Sequence, residues 1–460
     1  MIIGGGPGGY TAGIRAAMKG ASVAVVEVDK LGGVCLNRGC IPSKALIASA
    51  LQYEKARDAE SFGIEIDGPV RYNWQAMLAR KDKIVNTMVG GIGQLFKSHG
   101  VSHYNGYGRI LDDKTVLVTD EKGNETKIGA ENIVIATGSR AMNIPIFPVD
   151  GHRILTSDHM LQAEQLPKSL LIVGAGVIGC EWAFMLSMLD VEVSMVEMLD
   201  HALPLEDEGT SILIERELKK RKIKLFTKTR VDKIEPGPEG IQAALSNGEI
   251  LSANQVLMAV GRAFNTEDLG LEEVGIEQNK NGSIKTGPDM RTNKKNIFAI
   301  GDVRGEIMLA YTATHDGAVA VDNALGGTAR KDYLGVPSVI FTHPEVGSVG
   351  LTEKQAAEKY DPAIGKFPLR ALGKAHAENE IAGEVKLIAD KKTDKLLGAH
   401  IVGSHATEII HVAALAIRQS LTARQLGELT FGHPVIAESI MEAAHDLHSE
   451  SVHLAAKRKK

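Results

Sequence analysis

Two cysteines five residues apart are the side chains of this sequence best suited to chemistry. Cys35 and Cys40 lie in the run Gly32-Gly33-Val34-Cys35-Leu36-Asn37-Arg38-Gly39-Cys40-Ile41-Pro42-Ser43-Lys44, and only one further cysteine, Cys180, occurs in 460 residues. Such concentration among glycines, a proline and two cations reads as a redox-active dithiol. In an ideal helix, residues i and i+5 stand roughly 8.7 Å apart at Cα, whereas a disulfide needs about 4.4–6.8 Å. A helical segment must therefore be distorted here, and Gly39 and Pro42 are the residues that would permit or force it. A strained bridge is the more easily reduced. Two plainer readings compete. Buried free cysteines are ordinary core residues, and a zinc site would need a second ligand pair at short spacing, which the sequence does not supply. No metal site is expected.

Two further residues carry possible chemistry. In Phe431-Gly432-His433-Pro434-Val435-Ile436-Ala437-Glu438, a histidine precedes an acid by five residues, so Glu438 could orient His433 as a base. With 15 histidines in the chain, that spacing alone does not single it out. Asp302 ends the apolar run Ile297-Phe298-Ala299-Ile300-Gly301, where it could accept a bond from a cofactor hydroxyl or merely cap a helix.

The elements around these residues read as nucleotide-binding units. Met1-Ile2-Ile3 leads into Gly4-Gly5-Gly6-Pro7-Gly8-Gly9, a strand and a G-x-G-x-x-G turn with Gly4, Gly6 and Gly9 in the three positions. A helix is expected from Tyr10 to Lys19, then a strand from Ser22 to Glu27, whose acid falls where a ribose-binding carboxylate belongs. Bare glycine backbone at a helix N-terminus accepts a pyrophosphate. Only three residues precede Gly4, which suggests a few are missing before them. The fingerprint repeats after Leu170-Leu171-Ile172-Val173 as Gly174-Ala175-Gly176-Val177-Ile178-Gly179, and Val191 to Val196 leads to Glu197. An acid there bonds the ribose diol of NAD and repels a 2′-phosphate, so NADH is favoured over NADPH. An empty, degenerate repeat is the alternative, but all three glycines and the acid are kept. Between the units lie a helical region to about Gly100 and a β-rich stretch from Gly106 to Ile128. Ile133 to Gly138 and Val256 to Arg262 read as strands closing the two units. From Gly335 the texture changes to alternating strands, near Val385 to Ile388 and Gly398 to Val402, with helices: a third domain.

Composition narrows the function. Hydrophobic content of 44% and charged content of 24% are those of an ordinary globular protein, and the length suggests two to four domains. A net charge of −5 speaks against a nucleic-acid partner. The basic run Lys457-Arg458-Lys459-Lys460 reads as a solvated end. No apolar run approaches the roughly 18 residues of a membrane span, no targeting segment is visible, and scarce cysteines fit a reducing cytoplasm, where a close pair is more often catalytic than structural.

Taken in order, these motifs resemble the FAD-dependent pyridine nucleotide disulfide oxidoreductases, and Gly32 to Lys44 is highly specific for that group. The resemblance spans essentially the whole chain. It implies an α/β protein of two Rossmann-like dinucleotide-binding domains plus a C-terminal α+β dimerisation domain: an FAD-binding part at 1–141, an NAD-binding domain at 142–264, a central segment completing the FAD site at 265–334, and an interface domain at 335–460. It implies a homodimer that oxidises protein-bound dihydrolipoamide to lipoamide and reduces NAD, served by the lipoyl-bearing domain of a 2-oxo acid dehydrogenase or glycine cleavage system. Cys35 would exchange with substrate and Cys40 would lie against the flavin. His433, oriented by Glu438, would serve the opposite protomer's dithiol, and Lys44 would pair with Glu181 beside the flavin. FAD contacts are implied at Gly4, Gly6, Pro7, Gly9, Glu27, Gly33, Lys44, Gly108, Thr137, Gly138, Asp302 and Ala310. NAD contacts are implied at Gly174, Gly176, Val177, Ile178, Gly179, Glu197, Val231 and Gly261. Cys180 is expected to be core filler. Two segments depart from the family pattern: Phe431-Gly432 precedes His433 where His-x is usual, and Met308 to His315 replaces a Leu-Ala-His-Lys-Ala segment near the flavin. A sibling reductase of another disulfide such as glutathione, and a redox-sensing or structural flavoprotein, are the rival readings.

Overall fold

Short apolar strands ending in glycine turns build two parallel sheets of five strands. In the first, Ile297–Ala299, Ile133–Ile135, Ile2–Ile3, Ala24–Glu27 and Ser102–Asn105 lie side by side in that order. In the second the order is Lys224–Phe226, Glu192–Val196, Ser169–Val173, Gln255–Met258 and Ile154–Leu155. Both sheets are covered on their two faces, which is why their strands read as unbroken apolar runs rather than alternating ones. Residues such as Val25, Ile133, Leu171 and Leu257 are fully buried, each worth about 1.5–3 kcal/mol of burial. The computed structural model describes residues 1–237 and 240–455; the basic run from Lys457 to Lys460 lies outside them.

Chain order and sheet order differ in one way that matters for the site. Strand Ile297–Ala299 returns, after the whole second sheet, to pair with Ile133–Ile135 in the first, and so brings Asp302 back to the tips of the strands near Gly4. Each parallel sheet also carries a three-stranded antiparallel excursion, Tyr107–Asp112 with Thr115–Thr119 and Glu125–Gly129, and Val231–Gly237 with Gly240–Leu245 and Ile250–Ala253. The third sheet is antiparallel, in the order Ser338–Ile340, Glu345–Gly350, Leu396–Gly403, Glu384–Asp390 and Pro362–Pro368. Helices Ala406–Arg418 and Glu438–Leu447 pack on it.

The first helix begins at Pro7, three residues before the expected Tyr10, because Pro7 supplies a helical φ and lacks only an N–H that the first turn cannot use. The dithiol segment is two helices, Gly33–Arg38 and Cys40–Arg57. Their break falls at Gly39, with φ −145° and ψ −110°. Pro42, by contrast, sits undistorted in the first turn of the second helix, where no backbone donor is missed. Helix Val177–Met188 is apolar on every side and buried along most of its length, as expected of a helix with packing partners all round. It lies in one core with Leu46, Ile47 and Ala50 of helix Cys40–Arg57, so the second nucleotide unit is packed directly behind the dithiol.

Candidate active site

The break at Gly39 turns the chain between the two cysteines and starts a new helix at Cys40. A side chain at Gly39 would approach the Val34 carbonyl oxygen to 3.1 Å, so glycine allows the fold-back. Both cysteines are free thiols, Cys35 half-buried and Cys40 exposed. The interaction between the two thiols is the main reason the Cys35 thiol is pushed up while Cys40 is lowered to about 7. At Cys40, whose residue surface is open, partial desolvation of the sulfur and the Glu181 charge oppose the shift, while the Lys44 ammonium favours it. A thiolate at the head of a helix beside a cation is the arrangement that makes sulfur nucleophilic or a good leaving group.

Lys44 is held in turn. Its Nζ lies 2.9 and 2.8 Å from the two carboxylate oxygens of Glu181, and 4.7 Å from the ring centre of Phe341. Glu181 is buried and also accepts the Phe341 N–H at 3.0 Å. Three parts of the chain thus meet one turn below Cys40: the dithiol helix, the second unit's apolar helix and the segment just after the third sheet's strand Ser338–Ile340.

The two glycine fingerprints have matching geometry. At Gly4, with φ +106°, a Cβ would lie 2.3 Å from the Ala136 carbonyl oxygen; at Gly174, with φ +100°, it would lie 2.4 Å from that of Ala259. At Gly9 and Gly179 it would fall 1.9 and 2.0 Å from the carbonyl oxygens of Gly4 and Gly174. The middle glycines differ: a Cβ on Gly6 would meet only Gly33 at 3.8 Å, and one on Gly176 would meet nothing within 4 Å. Both precede helices, Pro7–Met18 and Val177–Met188, whose first turns have no side-chain cap. Bare backbone and free helix N–H groups fit a pyrophosphate. The acids match as well. Glu27 accepts from the Gly5 and Asp29 N–H groups at 2.6 and 2.9 Å, and Glu197 from those of Ala175 and Leu199 at 2.8 and 2.9 Å. Each carboxylate is thereby fixed at its strand tip, where a ribose diol would meet it.

The dithiol is attached to the first fingerprint. The Gly32 N–H donates to the Gly5 carbonyl at 2.8 Å, and a Cβ on Gly33 would stand 2.6 Å from Gly6 Cα. Nearby, Thr137 and Asn265 exchange hydrogen bonds of 2.7 and 2.8 Å, and Gly138, with φ +68°, borders open space. Asp302 accepts from the Ser139 hydroxyl, which in turn accepts from Arg262 Nε at 2.7 Å. Ala310 begins the helix Ala310–Ala324 that packs against Pro7–Met18 through Gly8, Ala313 and Gly317. Gly261, with φ +123°, lies between strands Gln255–Met258 and Arg262–Phe264, beside Met142. Gly108 and Val231 have packing surroundings: a Cβ on Gly108 would press Val26 at 2.7 Å, and Val231 is buried in the second unit's core.

His433 and Glu438 stand apart from the dithiol's own elements, on the third domain. His433 Nδ1 lies 2.9 Å from Glu438 Oε1, and Glu438 Oε2 accepts the Val435 N–H at 2.9 Å. Burial alone would raise the Glu438 carboxyl, but these bonds hold it below the usual range. Gly365 lets the helix carrying Glu438 sit tightly on the third sheet, since a Cβ there would come 2.1 Å from the Ala443 carbonyl oxygen. The His433 ring itself is 79% exposed.

Residues 1–317 match the family described as pyridine nucleotide-disulphide oxidoreductase, and residues 336–444 match that family's dimerisation domain. This chain belongs to the pyridine nucleotide-disulphide oxidoreductases. A dihydrolipoyl dehydrogenase of Bacillus subtilis is 42% identical over 98% of both chains. A mitochondrial dihydrolipoyl dehydrogenase of Arabidopsis thaliana is 37% identical over 99% of this chain and 91% of its own. Among solved structures, LpdA of Mycobacterium tuberculosis superposes with a TM-score of 0.91 at 29% identity, covering 97% of this chain and 99% of that one. The HOCl-induced flavoprotein disulfide reductase RclA of Escherichia coli gives 0.85 at 27%, covering 95% and 97%.

Several residues around this oxidoreductase's dithiol had no signal in motif spacing. Burial, then its neighbour Cys35, raises the Tyr10 phenol. Tyr311, inside the departing segment, donates to the Pro337 carbonyl and is pushed up to about 12 by burial, then by Cys40 and Glu206. Phe341, Ser139 and Arg262 act through backbone or second-partner bonds that sequence spacing does not encode. Cys180 is fully buried, donates to the Ala175 carbonyl at 3.3 Å and is pushed up by burial, so it packs rather than reacts. Among the described residues, no helix is long and apolar enough to cross a membrane.

Proposed function

We propose that this protein is an FAD-containing, NAD-linked dehydrogenase of protein-bound dihydrolipoamide, working as a homodimer in the reducing cytoplasm. The observation that carries the reading is the attachment of the two-cysteine segment, through Gly32 and Gly33, to one dinucleotide cradle, with a second cradle whose acid suits NAD packed behind it. FAD would be held at Gly4, Gly6, Gly9, Glu27, Lys44 and Asp302, and NAD at Gly174, Gly176, Gly179 and Glu197. The full-length likeness to dihydrolipoyl dehydrogenases supplies the substrate class, and a lipoyl-bearing domain of a multienzyme complex is the partner this implies.

The chain's own residues perform the thiol chemistry. His433, its Nδ1 engaged by Glu438, takes the proton of one dihydrolipoamide thiol at Nε2. The resulting thiolate attacks Cys35 Sγ of the oxidised pair and expels Cys40 Sγ, whose departure as a thiolate the Lys44 ammonium favours. The second substrate thiol then displaces Cys35, and lipoamide departs with its ring disulfide closed. Two electrons and a proton now reside on the cysteine pair. Bound flavin supplies the two-electron carriage from that pair to NAD. Lys44, clamped by Glu181, keeps a positive charge beside the sulfur throughout.

A steady-state screen of NAD with dihydrolipoamide against NADPH with glutathione disulfide tests the proposal. Turnover is expected with the first couple, and preferential turnover of the second would overturn it. Glu197 adds a sharper outcome: NADH should clearly outperform NADPH in reducing the bound flavin.

A further inference from the structure

We infer that Asp316, with Arg304 and Tyr333, is a positioning cluster that sets the Asp302 carboxylate for cofactor binding and ties it to the linker of the third domain. The inference rests on the reading above that Asp302 holds the flavin's side chain.

Asp302 sits in the four-residue 3-10 turn Gly301–Arg304. One carboxylate oxygen, Asp316 Oδ2, accepts from both ends of that turn: the Gly301 N–H at 3.1 Å and Arg304 Nη1 at 2.7 Å. A single atom therefore staples the turn shut around Asp302. The other oxygen, Oδ1, accepts the Tyr333 hydroxyl at 2.6 Å, and that hydroxyl oxygen accepts from Arg304 Nη1 at 2.7 Å. Arg304 Nε donates to Thr286 at 2.9 Å, and Nη2 lies 2.9 Å from Glu306. The Arg304 and Asp316 side chains are only 1% and 2% exposed.

Burying a charged pair is expensive unless it is neutralised and hydrogen-bonded. Among the described residues, Arg304 Nη2 makes only its ion-pair contact with Glu306 and no hydrogen bond, while the remaining bonds tie Arg304, Asp316 and Tyr333 together. Asp316 itself belongs to helix Ala310–Ala324, held on the fingerprint helix by a Gly317 that a Cβ would press 3.0 Å from the Gly8 carbonyl oxygen. Asp302 is thus referenced to the first cradle through Asp316. Tyr333 comes from the segment just before the third sheet, so the carboxylate's placement is linked to where that domain begins. Neither Asp316 nor Arg304 need touch the cofactor.

The test is a double-mutant cycle on flavin retention in the full-length holoenzyme. After dilution, released FAD is measured as it passes an ultrafiltration membrane. Asp302→Ala should speed release. Asp316→Asn should speed it about tenfold, and the milder Tyr333→Phe about threefold to tenfold, the size of one hydrogen bond. In the Asp302→Ala background neither should accelerate release further, because they act through that carboxylate. Equal factors in both backgrounds would make the cluster simple scaffold and overturn the inference. Unchanged release in Asp302→Ala alone would instead refute the assignment of Asp302, and this inference with it. If Asp316→Asn does not accumulate as folded protein, Tyr333→Phe carries the cycle.

Discussion

At the scale of single residues, the two sulfurs of the cysteine pair are unequal. The interaction between the two thiols and the Lys44 ammonium separate a thiol held protonated from a neighbour lowered to about 7, against the opposing charge of buried Glu181. In Lys44→Met, Cys40 loses its cation while Glu181 is left buried and unneutralised, so both changes disfavour the thiolate. Its pKa should rise by about one unit or more. The measurement is thiolate ultraviolet absorbance against pH in a Cys35→Ser background, where Cys180 stays protonated by burial; an unmoved midpoint would dismiss the role of Lys44. His433→Gln should lose dihydrolipoamide turnover by about 10²-fold or more yet keep NADH-driven flavin reduction, followed by stopped-flow bleaching. The dithiol was legible in the sequence because its residue types and spacing are themselves the signal. The Lys44–Glu181 pair was not legible from spacing, since its members are brought together by packing of two helices remote in sequence; only family resemblance pointed to it.

At the scale of elements, the repeated strand-turn-helix units divide their glycines by job. Gly179 is squeezed between helix and strand, whereas Gly176 faces open space. Gly179→Ala must push helix Val177–Met188 off its sheet and with it Glu181, costing about 1–3 kcal/mol of overpacking and weakening the Lys44 clamp. Gly176→Ala meets no atom and should leave the melting temperature within about a degree or two of wild type, while its methyl obstructs the approach of a pyrophosphate. NADH titration and thermal melts of the two variants should therefore diverge: weakened binding at full stability for Gly176→Ala, and lost stability for Gly179→Ala. Matching losses of stability would remove the distinction. The fingerprints were readable because glycine's absence of Cβ is a local, sequence-encoded fact. The surroundings of Gly108 and Val231 were not readable, since burial against Val26 or a core depends on how distant strands stack.

At the scale of the whole molecule, the second nucleotide unit and the third domain are joined through a buried ion pair. Lys386 Nζ, on the third sheet, lies 2.7 Å from Asp207 Oδ1 and 2.6 Å from Glu353. Asp207 also caps helix Glu208–Lys220 through the Gly209 N–H at 3.0 Å and accepts the Glu353 N–H at 3.0 Å. Burial would raise the Asp207 carboxyl, yet the Lys386 bond and the Glu353 N–H hold it below its ordinary value, while Lys386 is raised by its two acids against burial. A depressed acid stabilises the fold above its unfolded pKa and loses that stability as pH falls through the folded value. A raised lysine loses its contribution only as pH rises through its own folded value, far on the alkaline side. The joint is therefore sound at neutral pH and should fail from the acid side. Lys386→Met leaves Asp207 buried without its cation, at a cost of about 3–5 kcal/mol, and removes the interaction that depresses the carboxyl. Melting curves taken from neutral to about pH 3 should show the variant well below wild type at pH 7 and the gap closing toward acid, as protonation of Asp207 dismantles the same pair in the wild type. A constant gap across that range would mean that the lysine stabilises by packing its methylenes, and that charge does not hold the two domains together.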